Sequence, residues 1–472
     1  MNRRFLLLLV IFSVLCFYIV LSEDTVQTQG GFYQGILADI FNRSDARNDN
    51  EPLEQTDELP MIDKAANEQQ STDIRSLSAE KTSLTTISDA PMIRVVLSKN
   101  HEGKITSDSI TIYWTADTTF GEKIYPADSR TFTSADLPSE GLCFTSKGEL
   151  SLAFDENLDE RRFSGKLYLY PYGHQLYAVN EISLEEYVAC VVPGEMPSYY
   201  PKEALKAQAI CARTYALYHL KSAEEYHADV GDSVSWQVFN NAGRKESTDN
   251  ATEETKGQVI MTGNEPSDLY FYSTSCGFTG RDDVWYDTPK SVCLKSVYLG
   301  RKNKALRSEH DFVRSITKGD KNAWETEEEW FRWRTTFSQE QLVTLCQKHD
   351  ETVTEVISMQ VTKRSSGFAA MELAIDCGEK TMKISGEYAI REFLSPEGTG
   401  LTNQSEVQNG RKILPSGYFA LEPVYEKGSL VKMNVFGGGL GHGAGMSQNG
   451  AKCMAEAGMS CQELLATFFD IS

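Results

Sequence analysis

Two short segments carry side chains whose types and spacing could do chemistry. The first is Val191-Val192-Pro193-Gly194-Glu195-Met196-Pro197. Two prolines restrict the backbone around the acid and Gly194 permits a sharp turn, which predicts Glu195 displayed on a rigid connection. A carboxyl held this way could act as a general acid, and a solvated acid or a helix cap is the plain alternative. The second segment, Gly437-Gly438-Gly439-Leu440-Gly441-His442-Gly443-Ala444-Gly445-Met446-Ser447-Gln448, is glycine-rich with His442, Ser447 and Gln448 as its polar groups. Gly439, Gly441 and Ala444 satisfy G-x-G-x-x-A, but a dinucleotide fold needs a second strand, and only 28 residues follow Ala444. The run therefore reads as a surface where backbone lies close to a bulky ligand.

The elements that must position these groups follow from periodicity. Runs near 92–97, 109–114 and 166–180 alternate like strands, and Glu185 and Glu186 lead toward a helical turn. Pro201 suits a helix start, and Lys202 to Glu225 holds no Gly or Pro. Ala204, Ala207, Ala209, Ala212 and Ala216 make this a small-residue helix that approaches its neighbours closely, hence a central one. Gln208, Arg213 and Tyr215 lie on it at different azimuths, so at most two of them face one cleft. A structural salt bridge for Arg213 is an equal reading, as is a bond from Gln208 to the supporting sheet. Between 299 and 350 the chain is charged, with Trp330 and Trp333 one helical turn apart and Ser338 to Gln341 spaced as a capping box, which predicts a helical excursion. Val356 to Lys363 and Ala369 to Asp376 flank a turn at Ser365-Ser366-Gly367. Glu387 to Leu394 predicts a short helix, and Tyr418 to Val424 and Leu430 to Val435 flank a turn at Glu426-Lys427-Gly428. The fold class is α+β: a mixed-sheet domain around a central alanine-rich helix.

The chain has 472 residues with 46 Lys and Arg against 67 Asp and Glu, a net charge of −21, which disfavours nucleic acid as a partner. Arg3 and Arg4 precede Phe5 to Leu21, an uncharged stretch at the short limit for a spanning helix. Val20-Leu21-Ser22 is a poor cleavage site, so residues 1–21 read as an uncleaved transmembrane signal anchor, with the rest of the chain outside the cytoplasmic membrane. From 22 to 90 there are fourteen acidic and five basic residues and, after Phe41, no aromatic ring, which predicts a disordered acidic tether over 22–91 and a globular domain over 92–472. Of ten cysteines Cys16 lies in the apolar span, and the other nine show no CxxC, HExxH or clustered Cys/His spacing. They read mainly as buried small hydrophobes. No metal or other cofactor is expected, although distant residues such as His227 and Cys276 could converge in space.

Three runs together resemble the stage II sporulation protein D and amidase-enhancer family. They are Val179 through Glu195 to Ala216, Ser273-Thr274-Ser275-Cys276-Gly277 with Val284-Trp285 beyond, and Gly441 through Gln448. In order and separation they fit the family over about 165–470. The resemblance implies a membrane-anchored lytic transglycosylase that cuts peptidoglycan glycan strands to anhydro-muramoyl products in sporulation or general wall remodelling, with Glu195 as catalytic acid. It also implies Gln208, Arg213, Ser275, His442, Ser447 and Gln448 as substrate-binding candidates. The alternative from the same family is a non-catalytic, peptidoglycan-binding activator of a cell-wall amidase. Implied partners are glycan strands, an amidase and membrane proteins of the same machinery. Asn449 stands where a Tyr commonly follows the Ser-Gln pair, and the end at Phe468-Phe469-Asp470-Ile471-Ser472 lacks the usual aromatic-Pro-Gly continuation.

Overall fold

The computed structural model describes residues 81–471 apart from 100–102, 156, 160, 234, 240–243, 287, 303–307 and 409. The expected anchor over 1–21 and the tether up to residue 80 lie outside the described residues. Among the described residues no helix is long and apolar enough to cross a membrane. The chain divides into two compact units, and every element below belongs to the larger one, Asp57–Asn409 with Ile413–Ser472.

Eight α-helices are described: α1 Leu184–Glu195, α2 Lys202–Tyr218, α3 Glu246–Glu254, α4 Glu309–Lys318, α5 Gln339–Gln347, α6 Glu387–Phe393, α7 Gln448–Glu456 and α8 Cys461–Phe468. With several β-sheets they make the mixed α+β architecture that the patterning predicts. The largest sheet has seven strands in the order Val230–Gly231, Met92–Leu97, Gln175–Ser183, Lys166–Tyr172, Leu142–Ser146, Thr118–Phe120, Lys123–Tyr125. Its pairs are antiparallel except the first, where Val230 and Gly231 run parallel to Val95 and Val96. The central strand Gln175–Ser183 is buried from Leu176 to Ile182 and feeds directly into α1.

The alanine helix α2 is the hub. It is buried from Ala204 to Ala216 except at Lys206, and packs on α1, α3, α7, α8 and the strand Gln258–Thr262. A helix apolar on nearly every face belongs in a core, and its alanines let five neighbours approach. It ends at Tyr218, short of the expected Glu225, because the backbone turns: Lys221 has φ +66° and its N–H is taken by Asp229 Oδ1 at 3.1 Å.

Two other expectations change. The strand Thr82–Thr86 lies inside the stretch read as tether and pairs in register with Gln258–Thr262, Leu84 opposite Ile260. Its β-branched threonines overrode the acidic surroundings. In the charged excursion, α4 and α5 are helical and Ser338 does cap α5, with both bonds of the capping box present. Trp333, however, opens a strand, Trp333–Ser338, whose alternate residues are buried against Ser429–Gly437. Trp333, Thr335 and Phe337 alternate with period two, which outweighs the helical spacing of Trp330 and Trp333. The hairpins Ser358–Arg364 with Ala370–Asp376 and Phe419–Glu426 with Ser429–Gly437 form as predicted, and with α5 and α6 they enclose a second core around Trp333, Leu373 and Met433.

Candidate active site

Helix α1 delivers Glu195. Ser183 caps it by accepting the Glu186 N–H at 3.2 Å, and Glu185 and Glu186 place acid in its first turn. Pro193 sits two residues from the end and offers no N–H to the preceding turn, while Met196 N–H still closes the final turn onto Val192 O at 2.9 Å. Glu195 is thus the last residue of the helix rather than a member of a loop, a correction to the sequence expectation. Gly194 is required for a different reason from the one anticipated. A Cβ there would lie 2.3 Å from Val238 O, so only glycine lets the Val238 segment close over the acid. That approach brings Val238 N–H to Glu195 Oε1 at 2.6 Å.

The glycine-rich run meets this end of α1 through Gln448. Gly439, Gly441, Gly443 and Gly445 all have positive φ, and a Cβ on Gly445 would meet Tyr270 O at 2.1 Å. The close approach lets Met446–Ser447 pair in parallel with Phe271–Tyr272. Ser447 then caps α7, accepting Gly450 N–H at 3.1 Å, and Gln448, the first residue of α7, points at Glu195. Its Nε2 donates to Glu195 O at 2.9 Å and to Gln208 Oε1 at 3.4 Å. Gln208 is buried, and its Nε2 has no hydrogen-bond partner among the described residues. The structure therefore brings Glu195, Gln208 and Gln448 together.

Burial pushes the Glu195 carboxyl up to about 7; the Val238 amide and the Gln448 side chain pull the other way and lose. The adjacent aromatic groups are Tyr187 and Tyr215, each of which senses the charge of Glu195. Met196 is fully buried beside it, while Tyr199 is 74% exposed and contributes no desolvation. A carboxyl with this midpoint is substantially protonated at neutral pH, the condition for a general acid.

The remaining candidates are engaged in bonds within the protein. Arg213 is 0% exposed and grips Glu185 with two bonds, at 2.9 and 2.7 Å, while Nη1 reaches Gln258 O at 3.1 Å. It latches α2 to the first turn of α1 and to the neighbouring strand. Ser275 and Ser447 are also 0% exposed, and both serve a residue the sequence did not single out, Glu325. Glu325 Oε1 accepts Ser275 N–H at 2.8 Å and Ser447 Oγ–H at 2.7 Å, and Oε2 accepts the Ser275 hydroxyl. This buried carboxyl from the charged excursion, lifted by burial to about 7, ties two of the three recognised runs together. Its neighbours Glu327, Glu328 and Glu329 disguised it as part of a solvated charge run.

His442 spends both ring nitrogens. Nδ1 accepts Ala444 N–H at 3.1 Å, which assigns the proton to Nε2, 3.1 Å from Phe271 O. Burial pushes it down to about 4, so it is neutral and has no free position for proton transfer. Its ring packs 4.9 Å from Trp285. His227 and Cys276 occupy separate surroundings: His227 Nδ1 bonds Tyr177 OH at 2.7 Å, and Cys276 packs with Phe278 and Phe312. Among the described residues no group of three or more His, Cys, Asp or Glu could hold a metal ion.

This arrangement of an acid at a helix end, a buried alanine helix behind it and a glycine run facing it coincides with a family match. A model of the stage II sporulation protein family matches residues 172–261, which include α1, Glu195 and α2. A domain of unknown function (DUF8618) matches 283–445, the segment that carries Glu325. The chain is 25% identical over 309 residues to stage II sporulation protein D of Bacillus subtilis, covering 62% of this chain and 74% of that one. It is 24% identical over 295 residues to the amidase enhancer of the same organism, covering 59% of this chain but 39% of the relative. An uncharacterized protein of Brachyspira hyodysenteriae is 27% identical over 311 residues, 65% of this chain and 71% of its own. Residues 172–261 therefore match the stage II sporulation protein family, and the chain at large is similar to stage II sporulation protein D and to the amidase enhancer.

Proposed function

We propose that this protein is an extracytoplasmic, membrane-anchored lytic transglycosylase that cleaves peptidoglycan glycan strands in wall remodelling, with Glu195 as its acid. The observation that carries the reading is Glu195 itself, a single carboxyl at the end of α1 held near a midpoint of 7. Hydrolysis of a glycosidic bond normally uses two carboxyls, one for the leaving group and one for water or covalent attack. The lytic reaction needs one. Glu195 protonates the glycosidic oxygen as it leaves N-acetylmuramic acid. The resulting carboxylate then takes the proton of the muramoyl 6-hydroxyl, whose oxygen closes onto the anomeric carbon, so the acid is regenerated without water. The Val238 amide positions the carboxyl, Gln448 holds the Glu195 backbone carbonyl, and Gln208, bonded to Gln448, has a spare amide donor.

The match to an amidase enhancer motivates a second reading, in which the same cleft binds glycan and activates a separate cell-wall amidase without cleavage. Incubating the purified full chain with peptide-free glycan strands and analysing the products by mass decides between them. Anhydro-muramoyl ends support the lytic reading. Intact strands, together with faster release of peptide stems by an added amidase, replace it with the activator.

A further inference from the structure

Helix α7 carries Gln448 to the acid, and what holds the start of α7 comes from a distant part of the chain. Glu325 and Glu328 lie between α4 and the strand Trp333–Ser338, in the charged excursion. Glu328 N–H donates to Glu325 O at 2.9 Å, and from this turn both side chains meet α7. Glu325, 0% exposed, accepts the hydroxyl of the cap residue Ser447 at 2.7 Å. Glu328 Oε1 accepts Lys452 Nζ at 2.8 Å and the Cys453 thiol at 3.3 Å, further along the same helix. A Cβ on Gly450 would lie 3.1 Å from Glu325 Oε2, so the glycine leaves the carboxyl room against the first turn.

That first turn grips the chain on both sides of Met196. Gln448 Nε2 donates to Glu195 O at 2.9 Å, and Asn449 Oδ1 accepts the Tyr200 hydroxyl at 2.5 Å. Asn449 Nδ2 is itself bonded to Thr274 Oγ1 at 2.8 Å, so the residue that departs from the family pattern has a task here. A helix of nine residues has little length of its own to fix its first turn, and its cap, with whatever holds the cap, sets where the first residue points.

We propose that Glu325 is a positioning residue for the acid: through Ser447 it sets the first turn of α7, and that turn aims Gln448 at Glu195. The charged excursion, which reads as a solvated run, then completes the site. Glu325 acts through other residues, since no charged side chain is among the causes of the Glu195 shift. This inference rests on the reading of Glu195 as the acid.

The test uses the full-length protein and peptide-free strands of alternating N-acetylglucosamine and N-acetylmuramic acid. Glu325→Ala lowers kcat for anhydro-end release about tenfold and leaves KM within about twofold, because a displaced Gln448 loosens the acid without altering what binds. Glu325→Gln keeps an acceptor for the Ser447 hydroxyl and recovers most of the rate. Ser447→Ala falls as far as Glu325→Ala, and the double variant falls no further, because the two residues act in one chain of bonds. The Glu195 midpoint also moves, read as the carboxyl infrared band that each protein loses in its Glu195→Gln counterpart. Gln448 favours the charged form, so losing its contact raises the midpoint, whereas removing a nearby negative charge alone would lower it.

Circular dichroism at the assay temperature certifies that each variant is folded there. A kcat within about twofold of the parent in folded Glu325→Ala overturns the inference. So does a midpoint that stays or falls, or losses in the two single variants that multiply in the double. The two readings fail separately. A parent that makes no anhydro ends, while Glu325→Ala still raises the Glu195 midpoint, keeps the positioning role and sinks the lytic activity. A parent that cleaves, with kcat and midpoint indifferent to Glu325, does the reverse.

Discussion

Replacing Glu195 by Gln should make the protein inactive and, at alkaline pH, more stable. The folded state raises this carboxyl from 4.5 to about 7 by burying it. A folded-state value above the unfolded one means that the native protein binds the proton more tightly, so stability is complete below about pH 4.5 and declines as pH rises toward 7. The whole decline corresponds to about 3 kcal/mol, constant above pH 7. Glutamine has the same size and no proton to lose, so the variant escapes the decline. At an unfolding entropy of about 2.1 cal/mol/K per residue over about 390 residues, this is a gain of about 4 °C in unfolding temperature at pH 8 and none at pH 4.5. The other raised carboxyls, Asp268, Asp282, Glu325 and Glu387, are present in both proteins and cancel, and no charged side chain is among the causes of the Glu195 shift. Calorimetric unfolding of parent and variant across pH 4 to 9 measures the difference. Cleavage of peptide-free glycan should fall about 100-fold to 10,000-fold in parallel. Parallel stability curves would show that Glu195 is not held protonated by the fold, and turnover within a few-fold of the parent would remove it as the acid.

Cleavage should fall as pH rises through about 7, because the protonated form of Glu195 starts the reaction; anhydro-end release that instead climbs through this range contradicts the assignment. Arg213→Met should cost about 3 kcal/mol in urea unfolding, by stranding Glu185, while glycan affinity stays unchanged in the fraction that folds. Glu325→Ala should cost about 2–4 kcal/mol by leaving the buried Ser275 and Ser447 hydroxyls without their acceptor and the Ser275 amide with Ser447 Oγ alone, and Glu325→Gln distinctly less; equal losses would mean that those bonds carry no weight. Exhaustive chelation should leave cleavage intact, and activity lost to chelator and restored by zinc would show that ligands converge outside the described groups.

Much of the scaffold could be read from residue patterns, because period and punctuation act locally. The short apolar strand Met92–Leu97, the alanine spacing of α2 and the Ser338 capping box each depend on neighbours a few positions away. The strand Trp333–Ser338 escaped because the same tryptophans fit two periods, and only the partner strand Ser429–Gly437, about a hundred residues on, chooses between them. Glu325 escaped for a related reason. Nothing in Trp324-Glu325-Thr326-Glu327-Glu328-Glu329 distinguishes the one carboxyl that turns inward, since its donors come from Ser275 and Ser447. The residue types of these serines suggest contact with a ligand, whereas their hydroxyls bond Glu325 inside the scaffold.

The acid itself shows how a correct residue can come with the wrong electrostatics. Read as a loop residue ahead of α2, Glu195 would feel the positive end of that helix, which favours the carboxylate and works against a general acid. In the structure Glu195 instead closes α1, where the helix presents its unpaired carbonyls and its negative end. That end disfavours the carboxylate, so backbone field and burial act in the same direction. The two groups that favour the charged form, the Val238 amide and the Gln448 side chain, are few enough to aim the carboxyl without ionising it at neutral pH. Pro193 and Gly194 serve this geometry jointly: the proline lies where α1 is already ending, and the glycine admits Val238 against the last turn. A substitution at Gly194 would therefore push away the segment that both shields and orients the acid, and its effect on the Glu195 midpoint should exceed its effect on the fold.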